Sequence, residues 1–230
     1  MEQIRLNKYL AERLGVSRRE ADDLIAAGKV TVDGKRAELG SRISYDAANI
    51  DNIPKVCYNN KIVPFQTEYL YIAFNKPKGY VCSRRAQGDA PTIYELLPDE
   101  YKKLKTVGRL DKDSSGLILL TNDGDFAFQM THPKFRKNKV YEVTLERPLE
   151  PLHHQMISDF GVMLDDGPSS FKILPDGKSK YIVILSEGRN RQIRRTFAAL
   201  GYHVKELHRT GFGKYELSDL KPGTWREERP

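Results

Sequence analysis

Asp111 stands in the run Gly108-Arg109-Leu110-Asp111-Lys112-Asp113-Ser114-Ser115-Gly116, directly ahead of the apolar segment Leu117-Ile118-Leu119-Leu120. A charged, turn-forming stretch that feeds a strand-like one sets a carboxylate on a loop beside a buried scaffold, where it can be held still. A fixed carboxylate can attack an electrophilic carbon or accept a proton. Two further groups with useful chemistry sit on regular elements. Tyr141 lies in the alternating segment Lys139-Val140-Tyr141-Glu142-Val143-Thr144-Leu145, which predicts a strand with one buried face. Glu187-Gly188-Arg189-Asn190 reads as a turn, and a helix is expected from Arg191 to Leu200. Ile193, Phe197 and Leu200 share one face of that helix, Gly201 ends it, and Arg194 points away from the apolar face toward a partner.

Other chemistries fit less well. Asp111-Lys112-Asp113 loosely matches the Asp-x-Asp loop of magnesium-dependent phosphatases, with Asp165-Asp166 as a later acidic pair. That loop needs an apolar strand before its first aspartate, and Thr106-Val107-Gly108-Arg109-Leu110 is too short and too charged. Cys57 and Cys82 form no Cys-x-x-Cys pair, so they read as reduced thiols without a task. His153 and His154 are adjacent and cannot share a helical face. No P-loop or GxGxxG is present, and neither a metal nor an organic cofactor is expected. Asp113, Asp123 and Asp125 read as turn and cap residues. The formal charge of +7 and the isoelectric point near 9.2 favour a polyanionic partner. No apolar run approaches the ~20 residues that span a bilayer, and the N-terminus carries charges where a signal peptide needs an apolar core. A cytoplasmic, monomeric protein is expected.

The elements around these residues predict an α+β fold. In the first sixty residues Leu6, Tyr9, Leu10 and Leu14 recur at helical spacing before Gly15, and Ser17-Arg18-Arg19-Glu20 is a capping box for a second helix with Ala21, Leu24 and Ile25 inside. Asp33-Gly34 between short strand-like stretches signals a hairpin. The polar faces carry Arg5, Lys8, Arg13, Arg18, Arg19, Lys29, Lys35 and Arg36. Residues 59–68 are polar, contain Pro64, lack periodicity and read as a linker between residues 1–58 and 69–230. Beyond it, strands are expected at Tyr69–Phe74, Lys139–Leu145, Lys180–Leu185 and His203–Arg209. They outnumber the helices and lack regular helical crossovers, which argues for a mixed, largely antiparallel sheet.

Four ordered segments resemble the motifs of pseudouridine synthases: Lys76-Pro77-Lys78-Gly79, Gly108 to Gly124, the strand around Tyr141, and Glu187-Gly188-Arg189-Asn190-Arg191-Gln192-Ile193-Arg194-Arg195. Arg5 to Leu10, Gly15 to Ala21 and Gly28 to Gly34 resemble the αL-type S4 RNA-binding module. Together nearly the whole chain resembles the RsuA/RluB family of ribosomal RNA pseudouridine synthases. The resemblance implies isomerisation of uridine in ribosomal RNA, on free RNA or a pre-ribosomal particle, without a cofactor. It makes Asp111 the catalytic carboxylate, acting either on a sugar carbon or on the C2′ proton, and ionised in both cases. Arg194 then opposes the tendency of a dry carboxylate to protonate and fixes its orientation. Tyr141 stacks on the target base and moves a proton late in the reaction. Arg109 fills the gap left by the flipped base or contacts phosphate. Arg5, Lys8, Ser17, Arg18, Arg19, Lys29 and Lys76 contact RNA, positioning it without reading sequence. The segment Gly201–Arg209 is more like the small-subunit enzymes, and Asn190–Arg195 more like the large-subunit ones; the small subunit is favoured. The alternatives are a large-subunit enzyme and a non-catalytic S4-type RNA-binding or ribosome assembly factor.

Overall fold

The computed structural model describes residues 2–45, 53–65, 68–84 and 88–230. They fall into two compact units, Met1–Leu70 with Asn122–Gly124, and Tyr71–Thr121 with Asp125–Pro230. The first unit contains β1 (Glu2–Arg5), α1 (Leu6–Leu14), α2 (Arg18–Ala26), β2 (Val30–Val32), β3 (Lys35–Arg36), β4 (Arg42–Tyr45), β5 (Val56–Tyr58) and β6 (Lys61–Ile62).

Local sequence explains most of this unit. Gly15 ends α1 at φ 69°, a left-handed conformation that glycine adopts without a Cβ clash. The Ser17 side chain accepts from the Glu20 amide, and the Glu20 carboxylate accepts from the Ser17 amide, so both ends of the capping box close on α2. Asp33 and Gly34 turn β2 into β3 with both residues at positive φ, the twist a two-residue hairpin needs. Leu6, Tyr9, Leu10, Ala21, Ile25, Val30 and Ile43 form the core. Asn7 donates to both carboxylate oxygens of Asp22 at 3.0 Å, and Arg18 donates to Asn7, tying α1 to α2.

Residues 59–65 are not a linker. Lys61–Ile62 pairs with Cys57–Tyr58, and the four-stranded order is β3-β2-β5-β6. Val63 is buried in the core, and its carbonyl accepts from the Tyr9 hydroxyl at 2.9 Å. The hairpin was missed because its turn, Asn59-Asn60, uses two asparagines at positive φ where Asn-Gly is the usual signal. Residues 66 and 67 of the expected linker lie outside the described residues. Arg13, expected on the polar face, is instead buried: its guanidinium stacks on Tyr9 at 3.9 Å and donates to the carbonyls of Pro64 and Phe65.

The second unit contains β7 (Tyr71–Lys76), β8 (Lys105–Val107), β9 (Ser115–Thr121), α3 (Gly124–Thr131), β10 (Lys139–Leu145), α4 (Pro151–Gln155), β11 (Val162–Leu164), β12 (Gly167–Ser169), β13 (Lys172–Pro175), β14 (Lys180–Leu185), α5 (Gln192–Ala199), β15 (Val204–Phe212), β16 (Tyr215–Glu216) and β17 (Trp225–Glu227). Its sheet runs β13-β14-β10-β15-β9-β7-β17, with β16 beside β15 and β8 beside β9. Only the β15–β9 pairing is parallel among these described strands. The α+β class with a mixed, largely antiparallel sheet is therefore what the chain adopts.

Strand β9 pairs with three others, β15, β7 and β8. Leu117, Ile118, Leu119 and Leu120 are all buried, each contributing roughly 1.5–3 kcal/mol, so the strand is fixed on both faces. Gly116 shows why no other residue fits where β9 meets β15. Its φ is +104°, and an added Cβ would lie 2.2 Å from the Arg209 carbonyl oxygen and 2.5 Å from its nitrogen. This close passage sets Ser115 opposite His208 and Gly116 opposite Arg209. The loop before Gly116 is thereby anchored beside β15, whose other edge carries β10.

Candidate active site

The loop from Gly108 to Ser114 carries Asp111, and its backbone is held at every step from Leu110 to Ser114. The Leu110 carbonyl faces the Cys82 thiol at 3.4 Å, Asp111 accepts from the Ser114 amide at 3.1 Å, and Lys112 accepts from the Gly79 amide at 2.8 Å. Asp113 accepts from Arg194 at 3.0 Å, and Ser114 from the Lys76 ammonium at 2.6 Å. Five consecutive carbonyls are thus satisfied by five donors from three stretches of the chain: residues 76–82, the loop's own Ser114, and Arg194. A loop with no regular structure becomes as constrained as a strand, which is what a catalytic side chain requires.

Two sequence expectations change here. Lys76 was expected to touch RNA, yet it has no exposed surface. It binds the carbonyls of Pro77 and Ser114, and burial lowers its pKa to about 8 against the opposing pull of Cys82, Asp111 and Asp113. Cys82, read as idle, bonds the Leu110 peptide at both its nitrogen and its oxygen, with burial raising the thiol's pKa.

The arginines divide their work differently from the sequence expectation. Arg194 is 11% exposed and lies between α5, the start of β15 and the loop. It donates to the Val204 carbonyl at 2.9 Å and to the Asp113 carbonyl, and its Nε is 3.3 Å from the Asp113 carboxylate. Burial lowers its pKa, against Asp113's attraction. The cation nearest the Asp111 carboxylate is Arg191, at 3.5 Å. Arg191 also grips both Asp113 oxygens at 3.0 Å, a bidentate pair that pulls the Asp113 pKa down. Helix α5 begins at Gln192, with Arg191 as its N-cap at φ 46°, so the expected start at Arg191 is one residue early. That left-handed residue turns its side chain to the loop, and no pattern of apolar spacing signals it.

Asp113 is therefore more than a turn residue. It is the hub that both arginines share, and Asp111 hangs beside it. The same pairing removes the phosphatase alternative, because Asp113 is neutralised by Arg191, and Asp166 by Arg189 and Arg195. Among the described residues, no group of three or more His, Cys, Asp or Glu could hold a metal ion.

Asp111 and Tyr141 line the same cavity, of about 440 Å³ and within the usual range for a small-molecule site. Tyr141 is buried on the β10 face shared with Val143 and Leu145, as the alternation predicts. Arg109, Lys139, Arg189, Arg191 and Arg209 line the cavity too, against the carboxylates of Asp111 and Glu187. Arg189 and Arg191 are already paired with Asp166 and Asp113, which leaves Arg109, Lys139 and Arg209 against Asp111 and Glu187, a balance that still favours an anionic ligand. Arg209 is 1% exposed; its Nε donates to the Leu117 carbonyl at 2.7 Å, its Nη2 has no partner, and its guanidinium lies between the rings of Phe212 (5.0 Å) and Tyr141 (6.0 Å). Sequence reasoning passed over Arg209, although a charged residue in phase with Leu207 in an alternating strand was the signal for it.

In the first unit Arg5, Ser17, Arg18, Arg19 and Lys29 are exposed. The Ser17 hydroxyl is used as a helix cap, and Lys8 is partly buried, 3.9 Å from Glu12.

Comparison with known proteins identifies the family. Residues 70–199 match the RNA pseudouridylate synthase family, and residues 4–44 match the S4 domain. The chain is 37% identical to the ribosomal small subunit pseudouridine synthase A of Pasteurella multocida, over 97% of this chain and 95% of that one. Its namesake in Escherichia coli K12 is also 37% identical, with the same coverage. A crystal structure of a pseudouridylate synthase superimposes with a TM-score of 0.69 at 32% identity, covering 98% of this chain and 96% of that one. This chain therefore belongs to the RNA pseudouridylate synthase family, with an S4 domain at its N-terminal end.

Proposed function

We propose that this protein converts a uridine of small-subunit ribosomal RNA to pseudouridine, working in the cytoplasm on RNA that the S4 domain helps to hold. The observation that carries this reading is the meeting of Asp111 and Tyr141 in one cation-rich cavity, in a chain similar along nearly its whole length to small-subunit synthases.

The reaction breaks the N1–C1′ bond, turns the uracil and joins its C5 to C1′. C5 loses a proton and N1 regains one, so nothing is exchanged with a second substrate. The uridine must first leave its stack, at a cost of a few kcal/mol. Asp111 then supplies the carboxylate at the sugar. Five held carbonyls keep its backbone in place, and Arg191 at 3.5 Å orients its side chain. Tyr141 lies against the base and moves a proton late in the sequence. Arg194 acts through the loop, binding the Asp113 carbonyl instead of the reacting atoms. Arg109, exposed at the cavity rim, occupies the space the base vacates or holds a phosphate, since a planar guanidinium can stack and donate at once. Arg5, Lys8, Ser17, Arg18, Arg19 and Lys29 contact the RNA backbone.

Small-subunit ribosomal RNA transcribed with tritium at uridine C5 tests this. The wild-type protein is expected to release tritium stoichiometrically from one site, and large-subunit RNA to release none. Release from large-subunit RNA alone would move the assignment to the other subunit.

A further inference from the structure

Beside the cavity the chain exposes a group of rings that the chemistry above does not use. Helix α3 ends at Thr131, and a short 3₁₀ turn, Pro133–Phe135, follows. Thr131 and Pro133 line the cavity that holds Asp111. Between and around them Phe128 is 45% exposed and Phe135 38% exposed. The Phe128 ring lies 4.6 Å from the His132 ring and 5.8 Å from that of Phe135. The Lys134 ammonium sits over both phenylalanines, 5.2 Å from one centroid and 4.7 Å from the other. The geometry is locally fixed, because the Lys134 amide donates to His132 Nδ1 at 3.3 Å and Arg136 closes the turn at φ 44°.

The charge of this segment is one-sided. From Phe126 to Val140 there is no acidic residue, and Lys134, Arg136, Lys137 and Lys139 supply four cations. Among the described residues no carboxylate lies within ion-pair distance of Lys134, Arg136 or Lys137. Two exposed phenylalanines carry a hydration cost that an ordinary surface turn would avoid. Aromatic faces interleaved with uncompensated cations are the composition that binds single-stranded nucleic acid, with rings stacking on bases and cations holding phosphates.

We infer that Phe128, His132 and Phe135, whose rings stand tilted or edge-on to one another, form a stacking platform of separate faces for unpaired bases next to the target uridine in the RNA strand, with Lys134 and Arg136 holding the intervening phosphates. This rests on the reading of the cavity as a uridine site. Once the target leaves its stack, its neighbours lose their partner. A platform continuous with the cavity wall gives one of them a new partner, so extrusion of the uridine costs less. The platform reads base faces and not base edges, so it prefers strongly stacking purines without selecting a sequence.

Full-length protein and fluorescein-labelled ribo-oligonucleotides, twelve adenylates or twelve uridylates, test this by anisotropy across a salt titration. F128A/F135A is expected to bind oligoadenylate about ten-fold more weakly, with a smaller loss on oligouridylate and the same salt slope, since no phosphate contact is removed. F128W/F135W is expected to restore the affinity. K134A should instead lower the salt slope by about one unit. On tritiated ribosomal RNA the fall in kcat/KM for F128A/F135A should be carried by KM. An oligoadenylate affinity unchanged within two-fold would overturn the platform, and so would equal losses on both oligonucleotides with an altered salt slope. Absence of tritium release by the wild type would instead count against the uridine reading, and the oligonucleotide result would stand apart from it.

Discussion

In the first unit Arg5, Arg18, Arg19 and Lys29 reach solvent, whereas in the second Lys76 and Arg209 are buried, Arg194 is nearly so, and each donates to backbone carbonyls. The same residue types thus do opposite work. An exposed cation can collect a phosphate and release its counterions. A buried one shapes the chain around it, and if its charge is uncompensated it also sets the potential of the neighbouring cavity. Arg13 shows that the division is by packing and not by domain, since it sits in the first unit yet is buried against Tyr9 and two carbonyls. A formal charge of +7 therefore overstates the surface available to RNA.

The largest effect is expected at Asp111, on the loop whose carbonyls Lys76 and Arg194 bind. Asp111→Asn keeps the shape and the carbonyl contacts of the loop but removes the carboxylate; tritium release is expected to fall to background while the urea midpoint and RNA affinity stay near wild type. Substantial residual turnover would sink the assignment. Next come the two arginines of α5 and its cap, which separate the roles of buried and exposed cations. Arg194→Ala leaves the Val204 and Asp113 carbonyls without donors and should cost about 2–4 kcal/mol of stability, seen as an earlier urea midpoint together with lost activity. Arg191→Ala removes a half-exposed pair, so stability should change by less than about 1 kcal/mol. Its kcat/KM should still fall on the order of 10²-fold as Asp111 loses its nearest cation. Equal stability losses in the two variants would erase the distinction.

A smaller effect is expected in the first unit. The triple variant Arg18→Ala, Arg19→Ala, Lys29→Ala should reduce the slope of log affinity against log salt by about 2–3. Its kcat should fall far less than its kcat/KM. An unchanged slope would mean that these exposed side chains meet no phosphate.

What could be read from the sequence follows from which forces are local. Helices α1 and α2, the Asp33-Gly34 hairpin and strands β10 and β14 rest on caps, turns and alternation, all of which act within a few residues. The Asn59-Asn60 turn broke the usual chemistry, and a hairpin passed for a linker. Asp111 and Tyr141, which line one cavity, stand on a motif and on a strand period that the sequence displays. The partner of Asp111 is not displayed there. Whether Arg191 or Arg194 faces the carboxylate depends on a left-handed residue at position 191 and on Asp113 drawing Arg194 inward, neither of which leaves a periodic trace. Lys76 is the plainest lesson: a lysine before a proline turn looks like a surface cation, and only the sheet shows that its ammonium lies beneath the loop.

Lys76 also offers the finest test of the comparison, because an exposed lysine and a buried one respond differently to pH. Its pKa is lowered to about 8 in the folded chain, against about 10.4 in an unfolded one. Between these values the unfolded state binds more protons than the folded state, so this group's contribution to stability rises with pH across that window and is flat below about 8. Lys76→Met keeps the apolar stem and removes the titration. The difference in urea midpoint between wild type and Lys76→Met should therefore shift in favour of the wild type as pH rises from about 8 to about 10. Taking the difference cancels the tyrosines and the other lysines, which titrate in both proteins. Lys29→Met, made on an exposed lysine, should show no such trend. If the two variants behave alike, Lys76 is hydrated in solution, and the carbonyl of Ser114 has lost the donor that holds the loop.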